Sequence, residues 1–250
     1  MVHLPPLPGS PGFGGGDLEP VIEHALRDAR TLADAGFRAL MVENFGDAPF
    51  AAEHVAPETA AAMGIVVRAV RQATDLPVGV NCLRNDARAA LGVAAVAGAA
   101  YVRINVHTGV AATDQGMITG RADETLRVRA LLCPQVRIFA DVHVKHAVPV
   151  NQPDIALAAE ETAYRGRADA IIVSGATTGR PVDQQVLAKV KAAVPDKLVL
   201  VGSGASADTI AAILGICDGA IVGSSLKPGG DIAAPVDAPL AEAFIRAAKR

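Results

Sequence analysis

The sequence predicts an α/β protein of the (β/α)8, or TIM, barrel class, folded as a single domain over residues 1–250. Short β-type runs alternate with helical stretches about eight times, which is the repeat number of such a barrel, and its usual length is about 250 residues. The composition is 51% hydrophobic with only 3% aromatic residues and no Trp. The core must therefore consist mainly of Val, Ile, Leu and Ala. No Pro- or Ser-rich linker divides the chain.

Eight β-type runs are expected to form parallel strands, because each is followed by a stretch rich in Ala, Leu, Glu and Arg. The predicted strands are Val2–Leu4, Ala39–Glu43, Pro77–Asn81, Tyr101–Asn105, Val136–Val144, Ala170–Ser174, Leu198–Gly202 and Gly219–Gly223. The predicted helices are Leu18–Ala35, Pro57–Ala73, Asp86–Ala97, Ala122–Leu132, Ile155–Tyr164, Val182–Ala193, Ala207–Leu214 and Ala238–Lys249. Four of them stop at a glycine, where a left-handed residue often ends a helix: Gly36, Gly98, Gly166 and Gly215. A doubly wound open sheet is the alternative, disfavoured because no Gly-x-Gly-x-x-Gly turn follows the first strand.

Composition excludes several classes of partner. The formal net charge of −3 gives no basic surface for nucleic acid. The longest apolar run, Ala89–Val102, is shorter than the roughly 20 residues that span a bilayer. No signal peptide follows Met1, so we expect a cytoplasmic protein without an integral membrane segment. Three widely spaced cysteines form neither a disulfide framework nor a zinc pair. Homo-oligomerisation is expected from the fold class alone.

The segment from Phe139 to His146 is the most informative part of the chain. Because a strand alternates its faces with period two, Asp141, His143 and Lys145 are predicted to project to one side. Burying ionisable groups is costly unless each is paired, so a structural core has no need of three on one face. The pattern therefore indicates an active-site strand.

The same period-two alternation predicts a rim of polar side chains at the carboxyl ends of the strands, where barrels place their chemistry. The predicted catalytic residues are Glu43, Arg103, Asn105, Asp141, His143 and Lys145. The predicted substrate-binding residues are His3, Asp47, Asn81, Arg84, Asn85, Ser174 and Thr178. Carboxylates and imidazoles suit acid–base work, and Lys145 and Arg103 suit stabilisation of negative charge. Two alternatives stay open: a salt-bridged interior around Arg103, and helix capping, which is favoured for Asp86.

Two glycine-rich segments follow the seventh and eighth predicted strands, where barrels often bind phosphate. Glycine lets the backbone approach an anion, and amides at a helix N-terminus donate to it. The predicted phosphate-binding residues are Gly202, Ser203, Gly204, Gly223, Ser224, Ser225 and Lys227. The alternative is a pair of ordinary strand–helix turns.

No cofactor is established by the sequence, and a divalent metal is the candidate. His3, Glu43, Asp141 and His143 offer the nitrogen and oxygen ligands that zinc, manganese and iron accept, although no short ligand motif supports a site. Lys145 is suited either to a Schiff base or to a fixed positive charge. The fixed charge is favoured because Asp141 would keep the amine protonated. No Gly-x-Ser-x-Gly elbow is present, so a serine triad is not expected.

Together these motifs resemble the BtpA family over nearly the whole chain. The matching segments are 2–11, 42–50, 57–59, 79–86, 102–106, 113–116, 140–147, 174–175, 202–204, 222–227 and 235–237. The resemblance implies a ribulose-phosphate-binding type of TIM barrel. One departure is that only Met1 and Val2 precede His3, whereas family members usually have a longer first strand.

For function, the resemblance leaves two hypotheses. The SgcQ-like branch of the family implies an enzyme acting on a small phosphorylated substrate, a sugar phosphate or nucleoside-like compound, by lyase, isomerase or nucleosidase chemistry. The photosystem I biogenesis branch implies a non-catalytic assembly or stability factor. A complete inward set of polar residues favours the enzyme, because a site without chemistry has no need to retain buried charge.

Overall fold

Strands and helices alternate along the chain as the sequence predicts. The computed structural model describes residues 1–150, 154–175 and 182–249. Its strands are β1 (Val2–His3), β2 (Leu40–Glu43), β3 (Val78–Asn81), β4 (Tyr101–Ile104), β5 (Val110–Thr113), β6 (Gly116–Thr119), β7 (Arg137–Val142), β8 (Ala147–Pro149), β9 (Ala170–Val173), β10 (Leu198–Val201) and β11 (Gly219–Ala220). Eight of them form one sheet in the order β1-β2-β3-β4-β7-β9-β10-β11, and every neighbouring pair is parallel.

Helices connect the successive parallel strands. They are α1 (Glu19–Ala35), α2 (Pro57–Ala73), α3 (Ala87–Ala97), α4 (Ala122–Leu132), α5 (Ile155–Glu160), α6 (Gln184–Ala193), α7 (Ile210–Leu214) and α8 (Ala238–Ala248), and a π-helical turn at Glu161–Arg165 continues α5. Gly36 and Gly98 end their helices with φ of 98° and 76°, as expected for left-handed caps. The expectation is wrong for Gly166 and Gly215, whose φ values of −74° and −71° are ordinary helical values. No helix within the described ranges is long and apolar enough to cross a membrane.

The core lies on both faces of the parallel sheet. Every residue of β2, β3, β4 and β9 is buried, because helices cover the outer face and side chains fill the curled inner face. At the amino-terminal end of the strands, the ring of Tyr101 stacks on Phe139 with centroids 4.6 Å apart. Apolar packing thus occupies one end of the sheet interior and leaves the polar side chains at the other.

The parallel sheet is curled, and chain segments next to its first and last strands come into contact. No ladder pair joins β11 to β1 among the described strands, whose pairing runs continuously from β1 to β11. The Met1 ammonium nevertheless donates to the carbonyl oxygen of Val222 at 2.7 Å. A Cβ atom added at Gly223 would lie 2.6 Å from Cε1 of His3, so the chain beyond β11 passes directly against β1.

A small antiparallel sheet, which sequence reasoning did not predict, lies beyond the carboxyl ends of β4 and β7. It has the order β6-β5-β8 and packs its buried face through Ala111, Ile118, Val106 and Val144. The predicted strand Val136–Val144 is therefore too long. β7 ends at Val142, and the backbone turns at His143 towards β8.

Candidate functional site

Parallel register brings four predicted polar residues into one row at the carboxyl-terminal rim. His3 pairs with Glu43, Glu43 with Asn81, and Asn81 with Arg103. Strand positions in register point to the same face, so all four side chains project inward together. All four are buried. The sequence prediction of an inward polar rim is confirmed for these positions.

Arg103 and Asp141 form a closed ion pair at the centre of this rim. The guanidinium donates through Nε to Asp141 Oδ2 at 2.9 Å and through Nη2 to Oδ1 at 2.8 Å. Asn105 Nδ2 donates to Oδ2 at 3.1 Å, and Ser174 Oγ donates to Oδ1 at 3.3 Å. Asn81 in turn donates to Asn105 Oδ1 at 3.0 Å. The carboxylate is thus saturated with donors, and the geometry favours the salt-bridged interior for Arg103 and Asp141 over a catalytic role.

His143 does not share a face with Lys145, which corrects the strand interpretation. Its φ of 48° lies in the left-handed region, so the alternation of β7 stops one residue earlier. His143 lines a cleft with Thr108 and Ala158, whereas Lys145 lines clefts on the side of Glu43. The predicted triad of acid, imidazole and amine on one face is therefore wrong.

Glu43 and Lys145 form the open part of the rim. Both line a narrow polar cleft and an adjoining cleft of about 500 Å³. Neither the Glu43 carboxylate nor the Lys145 ammonium forms a hydrogen bond within the described ranges; His3 Nε2 lies 3.7 Å from Glu43 Oε2. Burial lowers the pKa of Lys145, with the negative charge of Glu43 acting against this. Burial also lowers the pKa of His3 well below 6.5, which keeps its imidazole neutral at pH 7.

The loop that carries Lys145 is conformationally strained. His143 and His146, on either side of Val144 and Lys145, have φ of 48° and 55°. Left-handed conformations are uncommon for residues other than glycine and cluster at functional sites. The Lys145 carbonyl oxygen accepts a hydrogen bond from Arg84 Nη2 at 2.7 Å, which fixes the loop against the residues that follow β3.

Backbone amides border the polar cleft on its other side. The N–H groups of five residues donate to no other group within the described ranges: Ser203, Gly204, Ala205, Gly223 and Ser224. Backbone N–H groups near the protein interior require a partner, so these five are available to an anion or to water. The hydroxyl of Ser203 accepts from the Gly175 amide at 3.1 Å and braces the loop. α7 begins at Ile210 rather than Ala207, so the loop itself, and not a helix N-terminus, supplies these donors.

Lys227 is not a ligand of this cleft. Its side chain is completely buried, and Nζ donates to the carbonyl oxygens of Ala234 at 2.6 Å and Ile232 at 2.9 Å, with Asp28 Oδ2 at 3.5 Å. The 3-10 turn at Ser224–Leu226 directs the lysine away from the rim and towards α1. The phosphate-binding prediction for Lys227 is therefore wrong. Sequence reasoning missed Asp28, although an aspartate on the apolar face of an amphipathic helix is a signal for a buried ion pair.

Ser225 is also occupied elsewhere, since its hydroxyl donates to the Ala205 carbonyl oxygen at 2.7 Å. Asp47 accepts from the Leu7 amide at 2.8 Å and from Asn44 Nδ2 at 2.9 Å, and burial raises its pKa. These hydrogen bonds hold the surrounding loops together, so they leave few polar atoms of Ser225 or Asp47 available to a ligand.

The residues after β3 divide between structure and site. Asp86 caps α3 by accepting from the Ala89 amide at 2.8 Å, as the sequence predicts. Asn85 pairs with both the amide and the carbonyl of Val106, at 2.8 Å and 3.0 Å. Arg84, in contrast, lines the 500 Å³ cleft. Thr178, the remaining substrate-binding prediction, lies outside the described residues.

The four candidate metal ligands do not converge. Among the residues that the structure describes, no three His, Cys, Asp or Glu side chains are placed to share an ion. His3 and Glu43 are neighbours, but Asp141 is held by Arg103 and His143 lines a different cleft. These residues do not fit a divalent metal as a group.

Two aromatic residues of the site were not predicted. Phe45 and Phe50 both line the 500 Å³ cleft, with ring centroids 6.1 Å apart and planes inclined at 67°. The available signal was their density, since one short loop after β2 holds two of the six Phe in an aromatic-poor chain.

Comparison with known proteins shows which families this chain resembles. The sequence model of the BtpA family matches residues 1–250. An uncharacterised protein of Thermococcus kodakarensis is 47% identical, over 100% of this chain and 94% of its own length. Photosystem I biogenesis protein BtpA of Synechocystis is 45% identical, over 99% of this chain and 86% of its own length.

Among solved structures, thiamine phosphate pyrophosphorylase from Pyrococcus furiosus superposes with a TM-score of 0.60 at 18% identity. The superposition covers 93% of this chain and 91% of that one. At this identity the likeness concerns the fold alone, which is TIM-barrel-like.

Proposed function

The chain belongs to the BtpA family, and we propose that it is an enzyme that acts on a small phosphorylated metabolite by acid–base catalysis at the carboxyl-terminal rim. One observation carries the proposal. A single narrow cleft is bordered by Glu43, Lys145 and five amides that have no hydrogen-bond partner among the described residues. Anion donors, a cation and a proton-transferring carboxylate are thereby gathered around one space.

Each part of the cleft has a role in this proposal. The amides around Gly204 and Gly223 hold the phosphate, since several N–H donors at a concave loop form an anion site. Lys145 neutralises negative charge, which a buried ammonium does strongly where little water screens it. Glu43 removes or returns a proton, and the neutral His3 imidazole lies 3.7 Å from its carboxylate.

We also propose that the sheet is closed as a (β/α)8 barrel. The hydrogen bond from Met1 to Val222 and the approach of Gly223 to His3 support closure between β11 and β1. Closure would complete the wall of the polar cleft, which Met1, His3 and Gly223 all line.

The three cysteines are unpaired and buried, the state expected in the cytoplasm.

The proposal is tested by thermal shift with ribose 5-phosphate, ribose and inorganic phosphate. A ligand at 100 times its Kd stabilises by about 2.7 kcal/mol, which raises the Tm by several degrees. We expect a shift with ribose 5-phosphate, none with ribose, and loss of the shift in Lys145→Met. Lys189→Met, which removes an exposed ammonium paired with Asp154, is the matched control and should keep it. Absence of any shift with either phosphate would overturn the proposal.

A second candidate function rests on an exposed apolar surface of the small sheet. Met117, Val148 and Val150 are 55%, 68% and 57% exposed, and a relative at 45% identity is named a photosystem I biogenesis protein. Exposed apolar patches mark interaction sites. The test expresses variants of this chain in a Synechocystis strain that lacks its own BtpA. If the chain is an assembly factor, the Glu43→Gln variant should still restore photosystem I, whereas the Val148→Asp variant should not. The enzyme hypothesis predicts the opposite pattern.

A further inference from the structure

The narrow polar cleft and the 500 Å³ cleft adjoin each other, because Glu43, Phe45 and Lys145 line both. A ligand that has its phosphate against the amides and is long enough to pass Glu43 and Lys145 therefore reaches the larger cleft. The chemistry of that larger cleft then determines what the rest of the ligand is.

The larger cleft presents aromatic rings to its interior. Two other pairs of aromatic side chains stack within the fold: Tyr101 on Phe139, and Phe37 on Phe244 with centroids 5.8 Å apart. Phe45 and Phe50 are instead half-buried at the wall of an open cleft. Aromatic rings gain most when another flat apolar surface covers them, in offset or edge-to-face geometry.

Arg84 adds a planar cation to the same wall. Its side chain is buried, and the one hydrogen bond that it makes with the described residues uses Nη2. The remaining N–H groups are available for the edge of a ligand. A guanidinium both stacks on π systems and donates in a fixed plane, which a lysine cannot do.

The volume also argues against a bare sugar phosphate. About 500 Å³ falls within the roughly 300–1,000 Å³ of sites that enclose whole small molecules. One side of the cleft, formed by Phe45, Phe50 and Leu83, offers no hydrogen bonds to sugar hydroxyls, whereas Asn105, Asp114 and His146 line the rest. Hydroxyl groups placed against the apolar side would lose water without replacement, which is unfavourable.

We propose that the ligand is a phosphate monoester that carries a planar aromatic or heteroaromatic ring. Its phosphate lies at the amides of the polar cleft, and its ring lies between Phe45, Phe50 and Arg84. The atoms that connect ring and phosphate then lie beside Glu43 and Lys145, so the reaction occurs on this connecting part. The inference rests on the proposed phosphate site and specifies its substrate class.

The experiment measures Kd by calorimetry for adenosine 5′-monophosphate, phenyl phosphate, ribose 5-phosphate and adenosine. We expect at least one of the two ring-bearing phosphates to bind about tenfold more tightly than ribose 5-phosphate, the scale of one good aromatic contact. Phe50→Leu and Arg84→Lys should each weaken binding of the ring-bearing phosphates more than binding of ribose 5-phosphate, and so remove most of this advantage. Tyr164→Leu, which removes an exposed aromatic far along the chain, is the control and should change none of the four values.

The outcomes separate this inference from the proposed function. If ribose 5-phosphate binds as tightly as both ring-bearing phosphates, the ring site is overturned and the phosphate site stands. If adenosine binds as tightly as its monophosphate, the ring site is supported and the proposed phosphate site fails. If none of the four binds, both fail together. The melting temperature of each variant confirms that it is folded.

Discussion

Two acid–base pairs lie at the same rim and differ in almost every physical respect. Arg103 and Asp141 meet through two hydrogen bonds of 2.9 Å and 2.8 Å, and two further side chains saturate the carboxylate. Glu43 and Lys145 line one cleft together, yet neither charged group forms a hydrogen bond within the described ranges. We call Arg103 and Asp141 the closed pair, because they hydrogen-bond to each other. We call Glu43 and Lys145 the open pair, because their charged groups face a cleft.

The difference follows from where the backbone places each group. Arg103 lies within β4 and Asp141 within β7, and register fixes both, with Arg103 opposite Phe139 two residues before the aspartate. Lys145 lies on a loop bounded by two left-handed histidines, beyond the end of β7. Ladder hydrogen bonds therefore hold both backbones of the Arg103–Asp141 pair, whereas Lys145 extends from a loop outside the ladder.

The comparison indicates how a buried charge can be assigned to structure or to function. Desolvation disfavours an ion unless hydrogen bonds replace the lost water. An ion pair in which hydrogen bonds replace all the lost water stabilises the interior. An ion pair without these hydrogen bonds destabilises the ligand-free protein, and a bound charged ligand supplies the missing partners.

The largest effect is expected when the closed pair is broken. Asp141→Ala leaves the Arg103 guanidinium buried without its hydrogen-bonded counter-charge, so the free energy of unfolding should fall by about 3–5 kcal/mol. Urea denaturation followed by circular dichroism measures the change. Asp123→Ala is the matched control, because its 2.7 Å bridge to Arg127 is exposed and should contribute little. Equal stabilities of the two variants would show that the closed pair has no structural role.

A smaller loss is expected at the second closed pair, Lys227 with Asp28. Lys227→Ala removes three donated contacts and leaves Asp28 with the Val236 amide at 3.0 Å, His24 Nε2 at 3.6 Å and Arg27 Nε at 4.0 Å. The unfolding free energy should fall by about 2–3 kcal/mol, the scale of hydrogen bonds to a charged group. Phosphate affinity, measured in the folded variant, should stay unchanged. A selective loss of phosphate affinity in Lys227→Ala would show that Lys227 binds the phosphate after all.

The row of His3, Glu43, Asn81 and Arg103 is predictable from the sequence. The alternation of inward and outward side chains can be seen within each short strand, and neighbouring parallel strands pair residue by residue. Sequence reasoning failed at His143 because the apolar alternation of Val142 and Val144 continues after the strand has ended. The pattern of apolar residues therefore does not distinguish a left-handed turn at His143 from a strand that continues.

Long-range partners were equally hidden. The sequence predicts Lys227 as a cation of the rim, but its partner Asp28 is 199 residues away, and only the folded topology brings the two together. The small antiparallel sheet was missed because Val110–Thr113 and Gly116–Thr119 are short runs without strong β-type composition. Local patterns therefore predicted the scaffold and the rim positions. They did not predict which rim charges are already neutralised within the fold.

The open pair predicts a variant that gains stability as it loses function. The lowered pKa of Lys145 means that the unfolded chain binds this proton more tightly than the folded protein does. Stability contributed by this group therefore rises as the pH increases from the lowered value to 10.5. Lys145→Met should raise the Tm by a few degrees at pH 7, with the gap narrowing towards pH 10.5. A Tm below that of the wild type at pH 7 would show that Lys145 is internally paired after all.

The smallest expected effect is the pH dependence of phosphate affinity. The second pKa of a phosphate monoester is about 6, so the ligand is already a dianion at neutral pH. The Met1 amine, with a pKa lowered by burial to about 5, and His3, with a pKa lowered well below 6.5, also titrate below this range. Lys145 is then the group of the cleft that changes charge as the pH rises from neutrality towards 10.5. Affinity for ribose 5-phosphate should fall over this interval in the wild type and stay weak and flat in Lys145→Met. A parallel decline in both proteins would assign the anion to the amides alone and remove Lys145 from the open pair.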